Sequence, residues 1–75
     1  MAGALPILSG KKVRKAFEKG GWEFVRQRGS HMILVKPGSI ASLSVPDHKE
    51  VARGTLRGLI RAAGLTVDEF LALLD

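Results

Sequence analysis

Two histidines, His31 and His48, are the side chains of this sequence that can exchange a proton close to neutral pH. His31 follows the short segment Gly29-Ser30, and Arg26 and Arg28 precede it closely in the chain. A neutral imidazole in such a place can take the proton from the 2′-hydroxyl of RNA, while an arginine stabilises the charge that develops on the attacked phosphate. This chemistry needs the 2′-hydroxyl, so RNA would be a substrate and DNA would not.

The alternative interpretation of His31 is structural: a histidine at the end of a strand that hydrogen-bonds to nearby backbone. Spacing alone favours this simpler interpretation, because a single histidine without a defined partner is more often structural than catalytic. The two arginines that precede His31 are the feature that supports the catalytic interpretation. The residues taken one by one leave both interpretations open.

The segment Asp47-His48-Lys49-Glu50 carries three potential metal ligands within four residues. A zinc site usually takes three or four ligands from well-separated elements, and this sequence has no cysteine and no second cluster of such residues. We therefore predict a solvated loop, with no metal and no other cofactor. His48 stays a candidate general acid, although nothing in the sequence places it near His31.

Positive charge is concentrated in the first half of the chain. The formal net charge of the whole chain is +5, with +6 in residues 1–36 and −1 in residues 37–75. This asymmetry indicates an anionic partner, and nucleic acid is favoured over a membrane because no lipid-inserting apolar face accompanies the charge. A basic surface that is merely solvated is the alternative that charge alone leaves open.

A first helix is predicted over about residues 10–19, with Ser9 as its N-cap and Gly20-Gly21 as its end. Its apolar residues form one narrow stripe, and four lysines lie on the opposite side. This pattern predicts a docked helix with one basic face. The residues predicted to bind RNA are these lysines and the residues before His31, namely Lys11, Lys12, Lys15, Lys19, Arg26, Arg28 and Ser30.

Three strands are predicted after this helix. The aromatic, alternating segment 22–27 is the first, the apolar segment 31–36 is a second strand suited to a central position, and residues 40–45 form the third. Pro37-Gly38 is a turn signal between the last two strands. Alternation along the second strand places His31 on the same face as Ile33 and Val35, near the rim of the sheet.

Two further helices complete the predicted fold. One covers about residues 53–63, where apolar residues recur at helical spacing until Gly64. A short helix then begins at Thr66, which forms a capping box with Glu69. The order α-β-β-β-α plus a terminal helix predicts an α+β domain, in which a three-stranded antiparallel sheet carries helices on one face. This architecture resembles the double-stranded-RNA-binding fold.

The length and composition predict one small cytoplasmic domain. Seventy-five residues are enough for a single domain over 1–75, in which we expect the segment 1–8 to be less ordered. The absence of cysteine fits a reducing compartment. No apolar run approaches the roughly 20 residues of a membrane span, and the first residues lack the basic start of a signal peptide. We therefore expect no membrane partner.

Several segments look like parts of a known family. They are Leu8-Ser9-Gly10-Lys11, Glu18-Lys19-Gly20-Gly21-Trp22-Glu23, Arg26-Gln27-Arg28-Gly29-Ser30-His31, Val45-Pro46 with His48, Arg53-Gly54-Thr55-Leu56-Arg57 and Ala63-Gly64-Leu65. In these segments, which span nearly the whole chain, the sequence resembles the HicA-type (YcfA-like) mRNA interferase toxins. The Gly-Ser-His sequence after a basic turn is the most specific part of the resemblance.

This resemblance implies a toxin of a type II toxin–antitoxin system with a double-stranded-RNA-binding-like fold. It implies metal-independent endonucleolytic cleavage of mRNA and a HicB-type antitoxin as the protein partner. The histidine of Gly-Ser-His is the catalytic residue of that family, and the resemblance carries this role over to His31. Two departures are visible: Ala52-Arg53 stands where Lys-Pro is frequent, and the stretch after His48 is shorter than in many members.

Two other functions stay open as alternatives. A non-catalytic module would coat structured RNA with the basic helix, and His31 would then only support its turn. A DNA-binding regulator would use Arg57 and Arg61, but the Gly20-Gly21 break and the three strands do not make a helix-turn-helix.

Overall fold

The computed structural model describes residues 5–74 of the chain. One helix, three strands and two helices follow one another, as the sequence predicts. Their bounds are α1 Gly10–Lys19, β1 Glu23–Arg28, β2 His31–Val35, β3 Ser42–Pro46, α2 Arg53–Ala62 and α3 Val67–Ala72.

Both ends of α1 are fixed by the residues that the sequence predicts for them. The side-chain oxygen of Ser9 accepts a hydrogen bond from the Lys12 amide at 3.2 Å, which satisfies one of the free donors of the first turn. At the other end, the Gly20 amide donates to carbonyls of the last turn, and Gly21 follows with a φ of +98°. This left-handed conformation suits glycine and turns the chain directly into β1.

The three strands form one antiparallel sheet in the order β1-β2-β3, so β2 is central as predicted. Alternate residues of β2 and β3 are buried against the helices: Met32 pairs with Val45, and Leu34 pairs with Leu43. The third strand begins two residues later than predicted, at Ser42, and extends through Pro46. Ile40 is fully exposed and belongs to the connection that follows the Pro37-Gly38 turn.

The core lies between one face of this sheet and the helices. Phe17 of α1 and Phe70 of α3 meet at its centre, with ring centroids 5.1 Å apart, and both side chains are fully buried. The predicted capping box is present: the Thr66 side chain accepts from the Glu69 amide, and the Glu69 carboxylate accepts from the Thr66 amide. The architecture is therefore an α+β, double-stranded-RNA-binding-like fold with an open sheet.

The segment that precedes α1 is joined to the helical side of the domain. Leu5 is buried, and its carbonyl accepts a hydrogen bond from Nε of Arg53 at 2.7 Å. Leu8 forms an antiparallel bridge with Val51. Of the segment 1–8, for which we expect less order, residues 1–4 lie outside the described residues. Within residues 5–74 no helix is both long and apolar enough to cross a membrane.

Candidate active site

His31 is the first residue of β2, and its side chain is exposed on the side of the sheet opposite α1 and α2. The burial of β2 alternates, so Met32 and Leu34 point into the core while Ile33 and Val35 are half-buried on the same side as His31. The predicted placement of His31 beside Ile33 and Val35 is therefore confirmed. We call this surface the open face.

A β-bulge brings two arginines onto the open face. The register of β1 against β2 is regular from Glu23 to Phe24, shifts at Val25, and then pairs Arg26 with Ile33 and Arg28 with His31. Because directly paired residues of neighbouring strands lie on the same face of a sheet, both guanidinium groups share the face of His31. Strict alternation would instead have put these arginines on the face of Phe24, which packs against the core. The one extra residue of the bulge moves both arginines to the opposite face, which is the open face.

A shallow concavity of about 440 Å³ lies on the open face. It is lined by Arg28, Gly29, His31, Ile33 and Ser44. Ser44 pairs with Ile33 across the β2–β3 ladder and is exposed. No feature of the sequence connects Ser44 with His31, because that connection depends on the register between two strands.

The turn before His31 is held by hydrogen bonds from two sides. The Gln27 side-chain amide donates to the Gly29 carbonyl at 3.1 Å and to Oδ2 of Asp47 at 3.4 Å. The Asp47 amide donates to the Ser30 carbonyl at 2.6 Å. Gly29 has a φ of +57°, a conformation that side chains other than glycine rarely adopt. Gln27 and Asp47, for which we predict no role at this site from the sequence, thus connect the turn before His31 to the end of β3.

The loop after β3 lies at the same end of the sheet as His31. Pro46 is the register partner of His31, and His48 follows two residues later. The carbonyl of His48 accepts a hydrogen bond from the Gly10 amide at 2.8 Å, which fixes the loop against the start of α1. Within residues 5–74 no three His, Cys, Asp or Glu side chains are grouped so that they could hold a metal ion.

The lysines of α1 lie on the other side of the molecule. Val13, Ala16 and Phe17 of α1 are buried towards the sheet, and the lysines project from the opposite side of the helix. Lys12, Lys15 and Lys19 line a groove next to the end of the chain. The structure therefore separates the predicted RNA-binding residues into two sets: Arg26, Arg28 and Ser30 near His31, and the four lysines across the domain.

Arg14, which is also on α1, is partly exposed and contacts both β1 and its own helix. Its guanidinium carbon lies 3.9 Å from the ring centroid of Phe24, and its Nε lies 3.3 Å from Oε2 of Glu18. A cation above an aromatic ring is stabilised by the negative face of the ring. This contact helps to fix α1 on the core side of β1.

Comparison with known proteins identifies a family. Residues 10–65 match the model of a family described as the HicA toxin of bacterial toxin–antitoxin systems. The match includes α1, the whole sheet, the loop of His48 and α2. No curated protein matches the chain.

Proposed function

Since the chain belongs to the HicA toxin family, and is therefore a toxin with an antitoxin partner, we propose that it is an endoribonuclease that cleaves mRNA on its open face. The observation that carries the proposal is the pairing of His31 with Arg28. Arg26 lies two ladder positions further along, on the same face, where it pairs with Ile33. A proton acceptor and two cations thereby share an exposed surface that a phosphodiester can reach.

The proposed reaction is transfer of the phosphoryl group to the 2′-oxygen of the same nucleotide. His31 removes the proton of the 2′-hydroxyl, and the oxygen attacks the adjacent phosphorus. The guanidinium groups of Arg28 and Arg26 stabilise the negative charge that grows on the phosphoryl oxygens. The bond from phosphorus to the 5′-oxygen breaks, which leaves a 2′,3′-cyclic phosphate on one fragment and a 5′-hydroxyl on the other. All groups for this step come from the protein chain and the RNA.

The departing 5′-oxygen needs a proton, and we assign this role to His48. The pairing of β2 with β3 supports this assignment. Pro46 pairs with His31, and His48 follows Pro46 by two residues at the same end of the sheet. Ser30, which is exposed in the turn before His31, can donate a hydrogen bond to a neighbouring phosphate. We propose a HicB-type protein as the antitoxin.

The decisive experiment uses an oligodeoxynucleotide that contains a single ribonucleotide, end-labelled and incubated with the purified protein in EDTA. We expect cleavage only after the ribonucleotide, with a cyclic phosphate on the 5′ fragment, because no other position offers a 2′-hydroxyl. The matched control carries a 2′-O-methyl group at that nucleotide and should stay intact. Binding of RNA with no cleavage of any substrate would instead support a non-catalytic RNA-binding module.

A further inference from the structure

A second concave surface lies on the helical side of the domain, between α1 and the residues that follow α3. Its volume is about 290 Å³. The floor is formed by Leu8, Ala16, Leu73 and Leu74, and the rim by Lys12, Lys15 and Lys19. We call it the α1–α3 groove. Three of its four floor residues are only partly buried, so the folded chain leaves apolar surface accessible between cations.

The spacing of the rim lysines suits a helical ligand. Lys12, Lys15 and Lys19 stand at positions i, i+3 and i+7 of α1, so their attachment points form one row along about 10 Å of helix. A second helix that lies along this row presents its own side chains at the same intervals. Such a helix can place apolar side chains on the floor and carboxylates against the lysines, which is the arrangement of helix-in-groove recognition.

We propose that the α1–α3 groove binds an acidic amphipathic helix of a partner protein. The floor argues against RNA as the occupant, because the described residues that form it offer four aliphatic side chains and no aromatic ring on which a base could stack. Phosphate groups would use the lysines but would leave the leucines in contact with charged oxygens. This proposal goes beyond RNA cleavage, since the groove and His31 lie on opposite sides of the sheet.

The test uses a synthetic 15-residue helical peptide with leucines at i, i+3 and i+7 and glutamates flanking them. Its affinity is measured by fluorescence anisotropy, and its site is located from amide shifts of the full chain. We expect the double variant Lys12→Glu/Lys15→Glu to weaken binding about tenfold, because two attractive pairs become repulsive. The matched control Lys11→Glu/Lys49→Glu changes the net charge equally outside the groove and should alter affinity less than twofold. Leu74→Ser should weaken binding without any change of charge.

Three results would overturn the proposal. One is equal weakening by both double variants, which would mean that only net charge matters. Another is equal binding of a peptide whose leucines are replaced by serine, because the apolar floor would then have no role. The third is binding of a single-stranded RNA 12-mer that shifts the same amides and has an affinity unchanged by Leu74→Ser. That result would assign the groove to RNA. Circular dichroism of each variant checks that it is folded. The test does not use RNA cleavage as a readout, so its outcome is independent of the proposed ribonuclease activity.

Discussion

The open face and the α1–α3 groove are both basic, but their charges are placed in different ways. The lysines of the groove share one side of α1 because the helical period alone puts them there. The arginines of the open face share a side with His31 only because Val25 is an extra residue in β1 and shifts the register. A helical face is thus defined by a short stretch of sequence, whereas a sheet face depends on how strands from different parts of the chain are paired.

The two surfaces also differ in the chemistry they can support. The open face combines cations with an imidazole and the hydroxyl of Ser44, so it can bind a phosphodiester and move a proton. The groove combines cations with aliphatic side chains, and within residues 5–74 no imidazole or carboxylate lies among its lining residues. Reaction is therefore expected at the first surface and binding alone at the second.

The largest expected effect is that of His31→Ala on cleavage. Loss of a general base costs about 10²–10⁴ in rate, while RNA affinity should be nearly unchanged because the arginines remain. The measurement is the single-turnover cleavage rate together with RNA affinity. Ser42→Ala is the control, since Ser42 is exposed on β3 at the end of the sheet away from His31. Cleavage at the wild-type rate by the His31→Ala protein would refute the catalytic assignment.

His48→Ala should lower the cleavage rate of ordinary RNA by about 10² if His48 protonates the leaving oxygen. A substrate with sulfur in place of the bridging 5′-oxygen makes the test specific, because a thiolate leaves without first gaining a proton. We expect this substrate to restore His48→Ala close to the wild-type rate and to leave His31→Ala inactive. Failure of the sulfur substrate to rescue His48→Ala would remove His48 from the reaction while leaving His31 in place.

A third prediction concerns the junction between the two surfaces, where α1 meets the end of β3. A methyl group on Gly10 would collide with the Pro46 carbonyl oxygen and come within 3.0 Å of the Asp47 Cα atom. We expect Gly10→Ala to lower the free energy of unfolding by about 1–3 kcal/mol, as overpacking does.

The matched control for Gly10→Ala is Gly58→Ala in α2. Among residues 5–74, a methyl group on Gly58 meets nothing within 4 Å, so alanine should stabilise this helix by about 0.5–1 kcal/mol. Urea unfolding of both variants measures the difference. Equal stability of the two variants would mean that α1 is not tightly docked on the end of β3.

Much of the fold can be read from local patterns in the sequence. Ser9 and Gly20-Gly21 mark the ends of α1, and Thr66 with Glu69 marks the start of α3, because caps use residues a few positions apart. The central position of β2 follows from its apolar composition. These features involve contacts that are close in sequence, so one chain is enough to predict them.

The remaining features of the site depend on distant contacts. The bulge at Val25 leaves no mark in residue types, since a regular alternating strand fits the same sequence. The contact of Asp47 with Gln27 and with Ser30 requires the β2–β3 register and the path of the loop after β3. For the same reason, the sequence alone does not predict that the loop of His48 lies at the same end of the sheet as His31.

The smallest expected effect, and the sharpest comparison of the two surfaces, is the salt dependence of RNA binding. Each phosphate contact to a single strand contributes about 0.7 to the log–log slope of affinity against salt, because it releases condensed counterions. In a His31→Ala background, which keeps the RNA intact, Arg26→Gln/Arg28→Gln should therefore reduce the slope by about 1.4. Lys12→Gln/Lys15→Gln removes the same charge from the groove and should leave the slope close to its original value. The opposite result would place RNA on the lysines of α1, which the sequence predicts as RNA-binding residues together with Arg26 and Arg28, and would contradict the binding of a partner helix in the α1–α3 groove.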